Sequence, residues 1–259
     1  MVEYTFSLET FEIFLLILVR VSCFMFLAPF YGMANVPGKV KIGLAFFVSI
    51  LIFGFIDQSY VEYTGVIGYA VIVLKEGITG LLIGLAANVC NSIILFAGNI
   101  IDMDIGLAMA MEFDPINNAQ VTITGNLYNY FILLLLVAIN MHHYILQACV
   151  DAFTVIPLNG QDFDWDSLLS SMTRYMGDMF VIAFRIVLPV FACIMILNCI
   201  LGIMAKVSPQ MNMFAVGMQL KVLVGLAVLL LTVQLLPSVA NFIFTEMKKL
   251  MVLFIEGMY

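Results

Sequence analysis

Residues 77–101 read GITGLLIGLAANVCNSIILFAGNII and contain no charged side chain. The run is interrupted only by Asn88, Asn91 and Asn99 as strongly polar residues. It is longer than the roughly 20 apolar residues that carry a helix across a bilayer. Three more charge-free runs, 127–150, 186–205 and 222–245, approach or exceed the same length. Two weaker ones precede them: 13–30, which contains Arg20, and 42–56, which is short for a simple span and suits a re-entrant or protein-buried helix. The pattern predicts an all-α integral membrane protein of about six long, partly broken apolar helices paired as helical hairpins.

Composition agrees. Of 259 residues, 64% are hydrophobic and 10% charged, whereas soluble domains carry about 25% charged residues. Mean hydropathy is +1.12, so lipid or apolar protein must cover the surface. The net charge is −7 and no basic patch exists for nucleic acid. Glu3, Glu9 and Glu12 flank the first run where a cleavable signal would carry basic residues, so that run is expected to be retained. All five cysteines lie inside apolar runs without a C-x-x-C pair and read as small buried hydrophobes. Orientation is contradictory. Lys39 and Lys41 favour an outside N-terminus, yet six spans would then leave Lys248 and Lys249 outside. One resolution is that not every apolar run crosses the bilayer.

The chain reads as a single membrane domain over residues 1–259, with the polar stretch 157–178 as a divide between two helical halves. Asn159-Gly160 forms a turn within that stretch. Pro29, Pro37, Pro189 and Pro237 lie inside or beside helices, where each removes a backbone donor. In lipid the freed carbonyls need protein or water as partners. Broken helices packed on other protein follow from this.

Glu76, Gly80, Gly84, Ala87, Asn88 and Asn91 recur at helical spacing. A face of small residues lets another helix come close, either in this chain or in another subunit. Arg20, Glu76, Arg185 and Lys221 sit in or beside apolar runs, where a charge needs a partner or water. Arg20 with Glu76 is a candidate pair; snorkelling at a membrane edge is the alternative for each basic residue.

From Leu107 to Asp114 the residues Leu107, Met109, Met111 and Phe113 alternate with Ala108, Ala110, Glu112 and Asp114. Period two is the mark of extended backbone. Gly106 starts the segment and Asp114-Pro115 ends it as a turn. Extended backbone is ill suited to lipid but fits a pore, where methionine packs irregular gaps. An amphipathic surface loop is the plain alternative. Further on, Ser208-Pro209 breaks a helix, with Gln210 and Asn212 offering polar contacts at the bend. His142 and His143 are adjacent, with no ligand at metal spacing. No H-E-x-x-H, G-x-S-x-G or phosphate-binding glycine loop occurs, so no enzyme or cofactor is expected.

These stretches together resemble the FliR family and its virulence-secretion counterparts. An arginine before P-F-x-G is matched by Arg20, Pro29, Phe30 and Gly32, followed by Pro37, Lys39 and Lys41. E-x-x-x-G-x-x-x-G is matched by Glu76, Gly80 and Gly84, and A-G-x-x-x-D-x-x-x-G by Ala97, Gly98, Asp102 and Gly106. Asp114-Pro115 follows. A long late motif is matched from Leu201 through Pro209, Gln210, Asn212 and Phe214 to Gly217. The matches cover about residues 10–230, and the late motif is the most specific. The resemblance implies an export-gate subunit of the bacterial inner membrane and flagellar basal body. It implies assembly with FliP, FliQ, FlhB and FlhA type subunits, helices raised out of the bilayer plane, and passage of unfolded flagellar proteins. It also implies that the loop at 106–121 plugs the closed channel. The wording of the motifs is closer to the flagellar than to the virulence branch. A secondary transporter of small solutes is the rival class, since broken helices and buried charges suit it too; the missing internal repeat and the methionine-rich loop speak against it.

Overall fold

The computed structural model describes residues 8–33, 36–56, 63–110, 112–114, 119–121, 123–208 and 213–259. The side chains of 89–91, 109–121 and 213–214 fall outside that description. Eight α-helices account for nearly all of it: α1 (Leu8–Leu27), α2 (Gly38–Phe53), α3 (Gly65–Ile105), α4 (Ile123–Ala138), α5 (Met141–Val155), α6 (Trp165–Val207), α7 (Met213–Thr232) and α8 (Leu236–Glu256). The expected all-helical membrane architecture is present. Between α3 and α4 lie a 3₁₀ turn, Leu107–Ala110, and the antiparallel strands β1 (Glu112–Asp114) and β2 (Ala119–Val121), with Phe113 opposite Gln120.

Four stretches among the described residues are long and apolar enough to cross a membrane: α1, α3, α6, and α7 with α8. The bent pair α4–α5 raises the number to five. The six apolar runs therefore do not map one to one onto spans. The run at 127–150 breaks by 70° at Asn140, whose left-handed φ of 59° stops α4 and starts α5. The last run breaks at the 3₁₀ turn Val233–Leu235, just before Pro237. There proline sits in the first turn of α8, where its missing N–H costs no helical bond. The run at 42–56 lies on α2, only 16 residues long. Pro189 lies inside α6.

At 1.5 Å per residue, α3 with 41 residues is about 62 Å long and α6 with 43 about 65 Å. The hydrocarbon core is about 30 Å thick. Each is about twice as long as that core is thick.

The chain divides into two compact units. One comprises Met1–Val89, Asn140–Tyr175 and Thr245–Tyr259; its core is built from Leu16, Ile17 and Phe24 of α1, Ile83 of α3 and Ile145 of α5. The other comprises Cys90–Ile139 and Met176–Phe244, with Ile94 and Ile101 of α3, Ile132 of α4, and Val187 and Ile194 of α6 at its centre.

Candidate functional site

In the first unit, α1 and α3 meet along the small-residue face. A methyl group on Gly80 would run into the Arg20 carbonyl, and one on Gly84 would lie 2.8 Å from the Phe24 carbonyl oxygen. Arg20 and Phe24 are one turn apart, as are Gly80 and Gly84, so the helices touch backbone to backbone over two turns. The close partner of this face is within the chain.

One turn before Gly80, Glu76 meets Arg20. Nε of Arg20 donates to Glu76 Oε2 at 2.5 Å, and both side chains are wholly buried. Nη1 of Arg20 donates to the Ile156 carbonyl at 2.8 Å, and its guanidinium carbon lies 4.3 Å from the centre of the Phe153 ring. Glu76 Oε1 accepts from the Asn159 amide at 3.1 Å and from Gln161 Nε2 at 2.7 Å. A charge pair in an apolar interior survives only when its remaining hydrogen-bonding capacity is satisfied, and the 156–161 loop supplies that. Asn159 reaches its position with a φ of 59°. Gln161 Oε1 is buried without a partner among the described residues. Gln161 and Phe153 were not legible as part of this cluster. The Asn159-Gly160 turn was visible in sequence, but nothing in it says what the next residue faces.

The end of α1 carries the P-F-x-G turn. Phe30 holds a φ of 70°, an outlier for a bulky residue. A methyl on Gly32 would lie 2.5 Å from the Phe26 carbonyl oxygen, while Lys41 Nζ donates to the Gly32 carbonyl at 2.9 Å. Tyr31 donates to the His142 carbonyl at 3.0 Å, and burial pushes its phenol up from the ordinary range.

In the second unit, α3 meets α4 beside buried Ala97. Cβ of an alanine at Gly98 would overlap the Gly125 backbone. One turn later, buried Asp102 accepts from the Thr124 amide at 2.8 Å through Oδ2 and from the Thr124 hydroxyl through Oδ1. Thr124 is in the first turn of α4, where amides lack helical partners and the helix dipole favours an anion. The A-G-x-x-x-D motif is thus a helix crossing with a cap one turn along. Thr124 and Gly125 carry no signal in sequence that would have assigned them to it.

Gly106 then ends α3 with a φ of 91°, which glycine adopts without strain. The extended alternation predicted from Leu107 onward is corrected here. Leu107–Ala110 is a 3₁₀ turn, and strand geometry begins at Glu112. Alternation of large and small side chains over only four residues matches period two without fixing the backbone as strand. Phe113 and Asp114 lie in β1 and Met109 in the 3₁₀ turn; Met111 and Pro115 lie outside the described residues. At the root of this segment an open cavity of about 310 Å³ is lined by Met103, Asp104, Gly106, Asn198, Met218 and Lys221. Asp104 Oδ2 is buried without a partner among the described residues.

The bend after α6 is only partly visible. Pro209, Gln210 and Asn212 lie outside the described residues, and Phe214 opens α7 with an undescribed side chain. A methyl on Gly217 would sit 3.3 Å from Leu201 Cδ1, so the two ends of the late motif pack on each other. His142 and His143 lie ring on ring at 4.1 Å. No group of three or more potential metal ligands occurs among the described residues.

Helices of membrane length, a buried ion pair between them and a non-helical insertion define a multi-helix membrane protein, not a bundle of independent lipid-facing rods. The chain belongs to a family described as bacterial export proteins, family 1, whose model matches residues 11–247. It is 30% identical over 244 residues, 92% of each chain, to the flagellar biosynthetic protein FliR of Bacillus subtilis. Likeness extends to proteins of the same name from Aquifex aeolicus, at 26% over 92% of each chain, and from Escherichia coli K12, at 24% over 90% of this chain and 89% of that one.

Proposed function

We propose that this chain is a core subunit of the flagellar protein-export gate in the bacterial inner membrane, and that it is a pore element and not an enzyme. In this reading it forms a channel with FliP and FliQ type subunits, alongside FlhB and FlhA type subunits, and unfolded flagellar proteins pass through it. The 106–121 segment plugs the closed channel.

The observation that carries the reading is the departure from helix at Gly106, in the middle of a chain of membrane-length helices. Non-helical backbone is tolerated at membrane depth only where protein buries it or a water-filled path runs beside it. A two-stranded insertion preceded in sequence by Met109 and Met111 suits a seal that excludes water and ions yet gives way to a passing chain. Helices of about 62 and 65 Å fit the same picture, because only neighbouring subunits can cover what a 30 Å hydrocarbon core leaves exposed. Energy for export is supplied by other components.

The test is a deletion of the chain in its own bacterium, with export of flagellin measured in the medium and the tagged chain purified in mild detergent. Loss of flagellin export, restored by the wild-type chain, together with co-purified FliP and FliQ type subunits, is the expected result. Undiminished export without the chain would overturn it.

A further inference from the structure

We infer that Arg185 is the socket for a carboxylate carried on an apolar helix of a neighbouring subunit. Arg185 stands 20 residues into α6, about 30 Å from its start and about 33 Å from its end. It is exposed, and no hydrogen bond or ion pair to it occurs among the described residues. The nearest acidic residue before it on α6 is Asp178, two turns away and beyond reach. It lines an open cavity of about 200 Å³ together with Ile182 and Ile186 of α6 and Ser238, Val239 and Phe242 of α8. None of the other lining residues carries a charge. A lone guanidinium in an apolar wall needs an anion or water, and the wall here offers neither an acid nor a polar channel.

The occupant is a helix because of what flanks the arginine. Phe180, Phe184, Leu188, Phe191 and Met195 follow one another at spacings of three and four and are all exposed, Phe184 and Leu188 by 56% and 58%. That is the spacing of a helix-packing seam. The occupant is protein and not lipid because exposed large apolar residues run the whole length of α6, from Trp165 to Val207. A bilayer about 30 Å thick covers less than half of a helix of about 65 Å. Arg185 shares its own face with Val181 one turn before it and Leu188 one turn after it, both exposed, so whatever hides those two side chains also lies over the guanidinium. An acidic side chain on that cover neutralises it and fixes the register of the two helices.

This rests on the reading of the chain as one subunit of a membrane assembly. Its test uses the full-length chain expressed from its own operon, with a photo-crosslinking phenylalanine analogue in place of Leu188. Irradiation should give a covalent adduct with another polypeptide, mapped to an acidic apolar helix. Arg185→Glu should cut that adduct at least about tenfold, the size expected when a buried charge pair is broken. Arg185→Lys should retain most of it, and exchanging the partner's acid for lysine should restore Arg185→Glu. Thermal melting of each purified variant reads folding separately. An adduct of lipid mass only, or an equal yield from Arg185→Glu and wild type, would overturn the inference. Co-purification of the wild-type chain with its companions is scored in the same preparations. Companions without the adduct defeat this inference alone, whereas a chain without companions defeats the broader reading.

Discussion

The Glu76 carboxylate on α3 and the Arg20 guanidinium on α1 meet at 2.5 Å with no solvent access to either, where Gly80 and Gly84 bring the two helices into backbone contact. The glycines set the separation, and the ion pair fits only because of it. Removing one charge strands the other in an apolar core, at a cost of about 3–5 kcal/mol. Arg20→Met and Glu76→Gln should each lower the unfolding temperature in detergent sharply. The double variant should lose less than the sum, with a coupling of about 1–3 kcal/mol. Strictly additive losses would mean that the 156–161 loop, and not the ion pair, holds Arg20.

The glycines themselves separate into two kinds. Gly98→Ala forces apart α3 and α4, because its methyl has no room against Gly125. A loss of about 2 kcal/mol or more is expected, in the range of overpacked cores. A methyl on Gly177 meets nothing within 4 Å, so Gly177→Ala should be stabilising by about 0.5–1 kcal/mol through helix propensity alone. Thermal unfolding of the two variants checks the contrast; equal effects would contradict the α3–α4 crossing. Gly84→Leu should behave like Gly98→Ala, with a fall in the yield of folded chain.

Asp102 and Thr124 form a cap that hydrogen exchange can read. Asp102→Leu leaves the Thr124 amide buried and unpaired, a cost of about 1–3 kcal/mol. The amides of the first turn of α4 should exchange about tenfold faster or more in that variant, while α5 amides are unchanged. Asp102→Asn should fall between, since it keeps an acceptor but loses the charge at the helix N-terminus. Unaltered exchange at Thr124 would show that another group satisfies it.

Much of this arrangement was readable in the residues. Charge-free runs located α3 and the second half of α6, and three-and-four spacing put Glu76, Gly80 and Gly84 on one face, because both patterns arise from burial along a helix. The first half of α6, from Trp165, lies in the polar stretch 157–178 that reads as a divide, and its charged residues hid the helix there. The break at Asn140 was not readable, since a single asparagine in a run from 127 to 150 is a small perturbation of hydropathy, although asparagine is one of the few residues that takes a left-handed φ readily. Nor was Gln161. A polar residue in a loop acquires its role only when the chain brings Glu76 beneath it. The 3₁₀ turn at Leu107–Ala110 was misread as strand because alternating size, without a longer window, carries no backbone angle.

The central claim is that the 106–121 segment seals a channel. It is tested most directly by the ion permeability of the purified assembly in liposomes, comparing the wild-type chain with a deletion of 108–113. Both forms are first shown by native mass spectrometry to contain the same subunits. The account predicts that wild-type vesicles hold an ion gradient and that vesicles carrying the deletion lose it rapidly, with flux rising in proportion to the amount of assembly. A deletion that assembles fully and holds the gradient as tightly as wild type would contradict it, and would make the segment a surface element.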